Sequence, residues 1–191
     1  MIRLASLTAV AALLAAPALA APEKYVLDSS HSQIVFSYDH LGFSTSYGMF
    51  SGFAGEIMLD AGDRAASSVS VSFPVKSMLT GWQERFDHFM APEFFGAADD
   101  EMVTFTSTAV EMTGESTAKI TGDLTLNGVT KPVVLDAVLN AMGDHPMAAK
   151  PWAGFSATTT LVRSDYGLGM YAPYVSDNVT LQISVEAMKA E

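Results

Sequence analysis

Imidazole or thiol chemistry in this 191-residue chain has to draw on four histidines, His31, His40, His88 and His145, because there is no cysteine. No two of them have the short spacing with which one element grips zinc, so no metal site is expected, the alternative being a cluster of histidine and carboxylates assembled in space. Missing thiols also exclude a cysteine nucleophile and a disulfide framework. A serine nucleophile lacks its setting, since Gly42-Phe43-Ser44 and Gly154-Phe155-Ser156 both miss the closing glycine of a G-x-S-x-G elbow. Gly167 and Gly169 stand alone and build no phosphate loop. Two groups of charges remain. Arg85, Asp87 and His88 fall within one helical turn, where Arg85 with His88 would hydrogen-bond a polar head group, or the charges would pin the segment by ion pairs. Arg163 and Asp165 lie two apart at a strand end, a spacing that puts them on one face, as a local pair closing a barrel rim ahead of a ligand contact. No catalytic residue is expected. An enzyme would need His31, His88 or Asp87 as its acid or base.

Strands must position these groups. Ile34, Phe36 and Tyr38 alternate with polar neighbours, as do Phe53, Gly55, Ile57 and Leu59. So do Val69, Val71, Phe73 and Val75, and Val103, Phe105, Ser107 and Ala109. Ile120, Gly122, Leu124 and Leu126 follow, then Val133, Leu135, Ala137 and Leu139. The last two runs are Phe155, Ala157, Thr159 and Leu161, and Val179, Leu181, Ile183 and Val185. Eight period-two runs with Ser, Thr and charge opposite them predict an all-β, eight-stranded antiparallel protein. Asn127-Gly128 marks a hairpin. Residues 82–90 break the pattern: Trp82, Phe86 and Phe89, with Arg85 and Met90, predict a short amphipathic helix ending before Pro92.

Eight such strands form a sandwich or a closed barrel, and a barrel of that size is either filled or holds one small ligand. Small inward residues (Gly55, Gly122, Ala109, Ala137, Ala157) favour a hollow lumen, whereas Phe rings from facing strands would fill it. The pattern leaves both open. If hollow, Ile34, Phe36, Val71, Phe73, Phe105, Leu124, Leu135, Phe155, Leu181 and Ile183 line the ligand site, with Arg85 and His88 at its polar end.

Residues 1–20 carry one charge, Arg3, then an apolar stretch from Leu4 to Ala16 and Ala18-Leu19-Ala20. That order predicts a cleaved signal peptide over 1–20, one domain over 21–191, and no membrane anchor after cleavage. A net charge of −11 argues against nucleic acid as a partner. Asn178-Val179-Thr180 matches a glycosylation acceptor, relevant only to a eukaryotic secretory route.

Four blocks together carry a family resemblance: Y-V-L-D-S-S-H-S-Q-I-V-F (25–36) with His40-Leu41-Gly42-Phe43, T-G-W-Q-E-R-F-D-H-F-M-A-P-E-F-F (80–95), T-G-D-L-T-L-N-G-V-T-K-P-V (121–133) and R-S-D-Y-G (163–167). The chain resembles the YceI-like family of polyisoprenoid-binding, lipocalin-like proteins. The resemblance implies a β-barrel whose lumen holds an amphiphilic lipid, typically an isoprenoid, in an exported, often periplasmic protein without established enzymatic activity. No cofactor is implied beyond that lipid, and a homodimer is compatible with it. A stress-response or protein-interaction module with a filled barrel is the competing reading. The chain departs from the family at Tyr47-Gly48-Met49-Phe50, where a basic residue is frequent, and at Phe95-Gly96, where Asp often follows. Fewer cations at the mouth would favour a neutral head group over a pyrophosphate. Ten methionines beyond the signal segment suit a site that adapts to variable tails.

Overall fold

The computed structural model describes residues 21–191; the expected signal peptide, 1–20, lies outside them. The alternating runs form strands: β1 (Glu23–Leu27), β2 (Gln33–His40), β3 (Ser44–Phe50), β4 (Ala54–Leu59), β5 (Ser68–Pro74), β6 (Met102–Met112), β7 (Thr117–Leu126), β8 (Val129–Asp144), β9 (Pro151–Val162) and β10 (Asn178–Lys189). One helix among the described residues, α1 (Gln83–Met90), stands where residues 82–90 predicted it.

Every pairing is antiparallel, and the sheet closes. β1, β4, β5, β6, β7, β8, β9 and β10 form a ring of eight, sealed by β1 against β10 with Tyr25 opposite Lys189 and Leu27 opposite Ala187. The β2–β3 hairpin extends this wall, Ile34 pairing Ile183 on the upper half of β10. Thus β1 and β2 run one behind the other along β10, and β3 and β4 likewise form one interrupted stave. The barrel therefore has eight staves, of which the first two are broken.

Two of its strands were not legible as alternation. β1 is too short, offering only Tyr25 and Leu27 to the inside. β3 inverts the pattern, turning Ser44, Ser46 and Gly48 inward and Tyr47 and Met49 outward. A further departure lies in β6. A bulge between Ser107 and Ala109 flips the parity, so Ala109 is exposed while Val110 and Met112 face the lumen.

The break between β1 and β2 is stapled by the D-S-S-H-S sequence. Asp28 accepts from Ser30 N (2.9 Å) and Ser30 Oγ (2.7 Å), and it meets His31 Nδ1 at 2.6 Å. Ser32 Oγ donates to Asp28 O at 2.7 Å. Side chains here replace ladder hydrogen bonds that the interrupted strand cannot make.

At the opposite end from the chain termini, termed the upper end, Asn127-Gly128 makes the expected two-residue turn, with both residues at positive φ (50° and 70°). The long β5–β6 connection carries α1 across this end. Phe86, Phe89, Met90 and Phe95 pack onto the apolar cluster formed by Phe50, Phe53, Phe73 and Leu168. Trp82 does not share that face; it precedes the helix and is 59% exposed.

Candidate ligand-binding lumen

The barrel is hollow. A cavity of about 860 Å³ runs from α1 at the upper end toward Leu59, Met112 and Ser116 at the lower end. That volume lies within the roughly 300–1,000 Å³ usual for small-molecule sites. Ile34, Phe36, Val71, Phe73, Phe105, Leu124, Leu135, Phe155, Leu181 and Ile183 all line it, and Arg85 and His88 line its upper end. Several of these wall residues (Val71, Leu135, Phe155, Leu181, Ile183) are only half-buried although they point inward. Their accessible surface faces the lumen rather than the outside.

Glycine keeps the space open, though not by leaving gaps. The ring of Phe36 lies flat across Gly48 of the neighbouring strand; a Cβ there would come within 2.1 Å of Phe36 Cζ. Phe105 covers Gly122 in the same way, with a Cβ position 2.4 Å from its Cζ. The expectation that Gly122 itself provides cavity is therefore corrected: its missing side chain is filled by a ring held against the wall. Gly55 also leaves no void, because a Cβ would stand 2.2 Å from Ser70 O. Of the methionines among the described residues, only Met78, Met112 and Met170 reach the lumen, so the adaptable lining is narrower than composition suggested.

Charged side chains and histidines gather at the ends, while Ser156 and Thr159 on β9 interrupt the apolar wall between them. His40, Ser44 and Ser46 from β2 and β3 meet Glu84, Arg85 and His88 from α1 around the upper mouth. Arg85 donates to Thr80 O at 3.3 Å, and among the described residues it makes no ion pair. Asp87 accepts from Gln83 Nε2 at 2.8 Å, so the expected pinning of the helix by ion pairs is not how this segment is held. His88 instead packs its edge against Phe94, ring centres 4.9 Å apart. At the lower end Arg64 reaches from the β4–β5 turn to the carbonyl of Glu115 in the β6–β7 turn.

Arg163 does not pair with Asp165. A short 3-10 turn, Arg163–Tyr166, separates them, and Asp165 bonds Lys131 at 2.8 Å. The Arg163 guanidinium instead donates to the carbonyls of Ser176 (2.9 Å), Met170 (2.8 Å), Val175 (2.8 Å) and Leu168. It ties the long β9–β10 connection into a cap over the upper end. Burial lowers its pKa from the usual arginine value, with Asp177 opposing that effect.

Of the three groups that acid–base chemistry in the lumen would require, only His88 lines it; His31 and Asp87 do not. His31 lies on the outer wall, where the structure brings it together with Asp28 and Glu186, their ligand-type atoms within 4.8 Å. No single-element spacing could have signalled that grouping. Its members are engaged with protein: Asp28 with Ser30 and His31, Glu186 with Trp152 Nε1 at 2.9 Å. The Ser30 hydroxyl and then His31 hold the Asp28 carboxyl down at about 2, and Asp28 raises the His31 pKa in return.

This hollow barrel, with an apolar wall and a helix-bearing cap, has relatives. The profile of the YceI-like domain matches residues 25–187. The chain belongs to the YceI-like family. A relative called UPF0312 protein, from Ectopseudomonas mendocina, is 39% identical over 186 residues, covering 97% of each chain. Among solved structures, Burkholderia cenocepacia BcnA superposes with a TM-score of 0.75 at 20% identity, over 84% of this chain and 98% of its own. A polyisoprenoid binding domain from Saccharophagus degradans, implicated in plant cell wall breakdown, gives 0.67 at 15% identity, over 87% and 98%. At those identities the two structures establish a shared fold. No helix among the described residues of this YceI-like protein is long and apolar enough to cross a membrane.

Proposed function

We propose that this YceI-like protein binds the apolar chain of an amphiphilic lipid, an isoprenoid in the first instance, inside its barrel. The observation that carries the reading is a continuous lumen of about 860 Å³ whose wall is mainly apolar, with Ser156 and Thr159 on β9 as interruptions, and whose charged side chains collect at its ends. Each methylene hidden from water contributes about 0.8 kcal/mol, so such a wall holds a long chain with few directed contacts. The polyisoprenoid-binding neighbour shares this fold, which supports the class of ligand. The role is binding, storage or delivery rather than turnover, in the periplasm once the 1–20 segment is removed.

The head group sits at the upper mouth beside Arg85 and His88. Three arginines line the lumen: Arg163 is occupied by four carbonyls of the cap, Arg64 bonds the Glu115 carbonyl at the lower end, and Arg85 gives one long bond, 3.3 Å, to Thr80 O at the upper mouth. Arg85 is then the arginine placed for a head group there, its remaining donors unpaired within the described residues, with Glu84 beside it. A single cation matched by a carboxylate favours a neutral head such as a quinone over a pyrophosphate. Denaturing the protein purified from its native envelope and identifying the released lipid by mass spectrometry tests the reading. One amphiphile per chain is expected, and competition between a prenyl quinone and a prenyl pyrophosphate should favour the quinone. An empty barrel that takes up neither probe would sink the lipid assignment, and preference for the pyrophosphate would sink the head-group assignment.

A further inference from the structure

Exposed aromatic side chains are confined to one end of the barrel. Among the described residues Phe43 is 89% exposed, Tyr174 76%, Trp82 59%, Tyr47 59% and Tyr171 55%, and all stand in the upper half, with Leu41 and Leu79 beside them. No large aromatic is exposed around the lower turns. Aliphatic exposure is found elsewhere too, Met147 in the lower β8–β9 turn being 91% exposed, but the aromatic exposure is not scattered. Trp82 and Tyr171 are exposed and line the lumen at once, so the patch merges with the mouth. Three loops are knitted into one rim. Leu41 N donates to Tyr174 O at 3.1 Å, Met49 and Leu79 form an isolated bridge, and Tyr171 packs 6.1 Å from Phe94 behind α1.

Two tips of that rim are held in a conformation that costs energy. Leu41 (φ 60°) and Tyr171 (φ 65°) are left-handed although neither is glycine, and a bulky residue adopts that region only where its surroundings enforce it. The Leu41 turn is fixed by Gly42 N donating to Asp39 Oδ1 at 2.7 Å and by Phe43 N donating to His40 O at 3.1 Å. Both strained positions hold large side chains partly outward, Leu41 being 49% and Tyr171 55% exposed. Folding a soluble barrel does not require apolar side chains at such tips.

We propose that this rim is a membrane-docking surface that seats in the interfacial layer of a neutral phospholipid bilayer, mouth down. Trp and Tyr are the side chains that interfaces accept, with an apolar body and a polar tip, and Leu and Phe enter the acyl boundary beneath them. Seated there, the lumen opens into the bilayer, and a chain moves between the two without crossing water. The chain's net charge of −11 fixes the lipid class, because an anionic surface would repel it. Only the cargo part of this inference rests on the lipid-binding reading; docking is measured without it.

The two tryptophans, Trp82 on the rim and Trp152 near the lower end, serve as opposed reporters. In Trp152→Phe, adding phosphatidylcholine vesicles should blue-shift Trp82 emission, and brominated phosphatidylcholine should quench it. In Trp82→Phe, the remaining Trp152 should respond to neither. F43S/Y174S alters two exposed side chains and should lower the vesicle-bound fraction by about tenfold or more while the protein keeps its fold. Replacing part of the phosphatidylcholine with phosphatidylglycerol should weaken binding at low salt. An unchanged Trp82 spectrum, equal binding by the double variant, or tighter binding to anionic vesicles would each overturn docking. So would a wild-type dimer that the double variant turns into monomers, with no vesicle binding; the rim would then be a contact between copies. Extraction of lipid from the same samples is scored apart. Docking with an empty lumen refutes the cargo reading alone, and a loaded lumen without docking refutes the rim alone.

Discussion

Replacing Gly48 by Ala should partly close the lumen from within. The added Cβ would lie 2.1, 2.6 and 2.9 Å from Phe36 Cζ, Cε1 and Cε2, so the ring has to leave the wall. Along the wall its path is blocked, because Phe36 already packs on Phe50 with ring centres 5.4 Å apart, and Phe50 on Phe73 at 5.2 Å. The lumen is the open direction. Forced displacement of a packed ring costs about 1–3 kcal/mol, offset by about 0.4–1 kcal/mol from the restricted unfolded chain. For a domain of this size the net loss should lower Tm by roughly 2–8 °C. If the ring takes the room of two or three methylenes, a bound chain loses about 2 kcal/mol, close to thirtyfold in affinity. Fluorescent long-chain probe titration, paired with thermal denaturation by circular dichroism, reads both quantities. Gly48→Ala combined with Phe36→Leu should recover most of the binding, since the obstructing ring is gone. A folded Gly48→Ala that binds as tightly as the parent would refute the idea that glycine keeps this ring out of the lumen.

Other perturbations separate the roles of wall, cap and staple. Phe105→Glu should abolish lipid retention in a protein that still shows a β-sheet circular dichroism spectrum, because an unpaired carboxylate in an apolar lumen costs several kcal/mol; a folded variant with its lipid intact would remove Phe105 from the site. Arg163→Lys should destabilise the fold by about 2–4 kcal/mol, measured by urea unfolding, since an ammonium cannot reach the carbonyls the guanidinium fork spans. The Asp28–His31 staple should loosen on both sides of neutrality. The folded-state pKa of Asp28 is depressed, so its contribution is complete above the ordinary 3.8 and is lost as pH falls toward about 2. The folded-state pKa of His31 is raised, so its contribution is complete below 6.5 and is lost as pH rises through the elevated value. An NMR titration should find the His31 pKa above the ordinary value and see it fall in Asp28→Asn; no change would show that the pair does not set it.

Much of the barrel was legible because a sheet with one face toward an apolar interior writes its period into the chain. Eight of the ten strands, the helix over 82–90 and the Asn127-Gly128 turn follow from that rule. The twelve residues expected at the site all line the lumen, since period-two alternation assigns a face and α1 was visible as the sole interruption. Failures came where the rule lapses. β3 turns serines and glycine inward because it borders the polar mouth, and the Thr108 bulge shifts Ala109 to the outside without altering the composition of its strand.

Sequence by itself determined eight of the ten strands, most of the inward set and the family, whose four motifs mark strand breaks, turns and caps. The D-S-S-H-S staple, the Leu41-Gly42 turn and the Arg163–Tyr166 cap are local devices, and local devices leave local signatures. Only the tertiary structure decided that the barrel is hollow. That outcome depends on which glycine lies beside which ring on a neighbouring strand, a matter of register and not of composition. Tertiary structure likewise decided that Arg163 serves four carbonyls instead of Asp165, and that the exposed aromatics of distant loops share one rim. Each depends on how a strand pairs with its neighbour or how a connection folds back over the barrel, which the local pattern of residues does not specify.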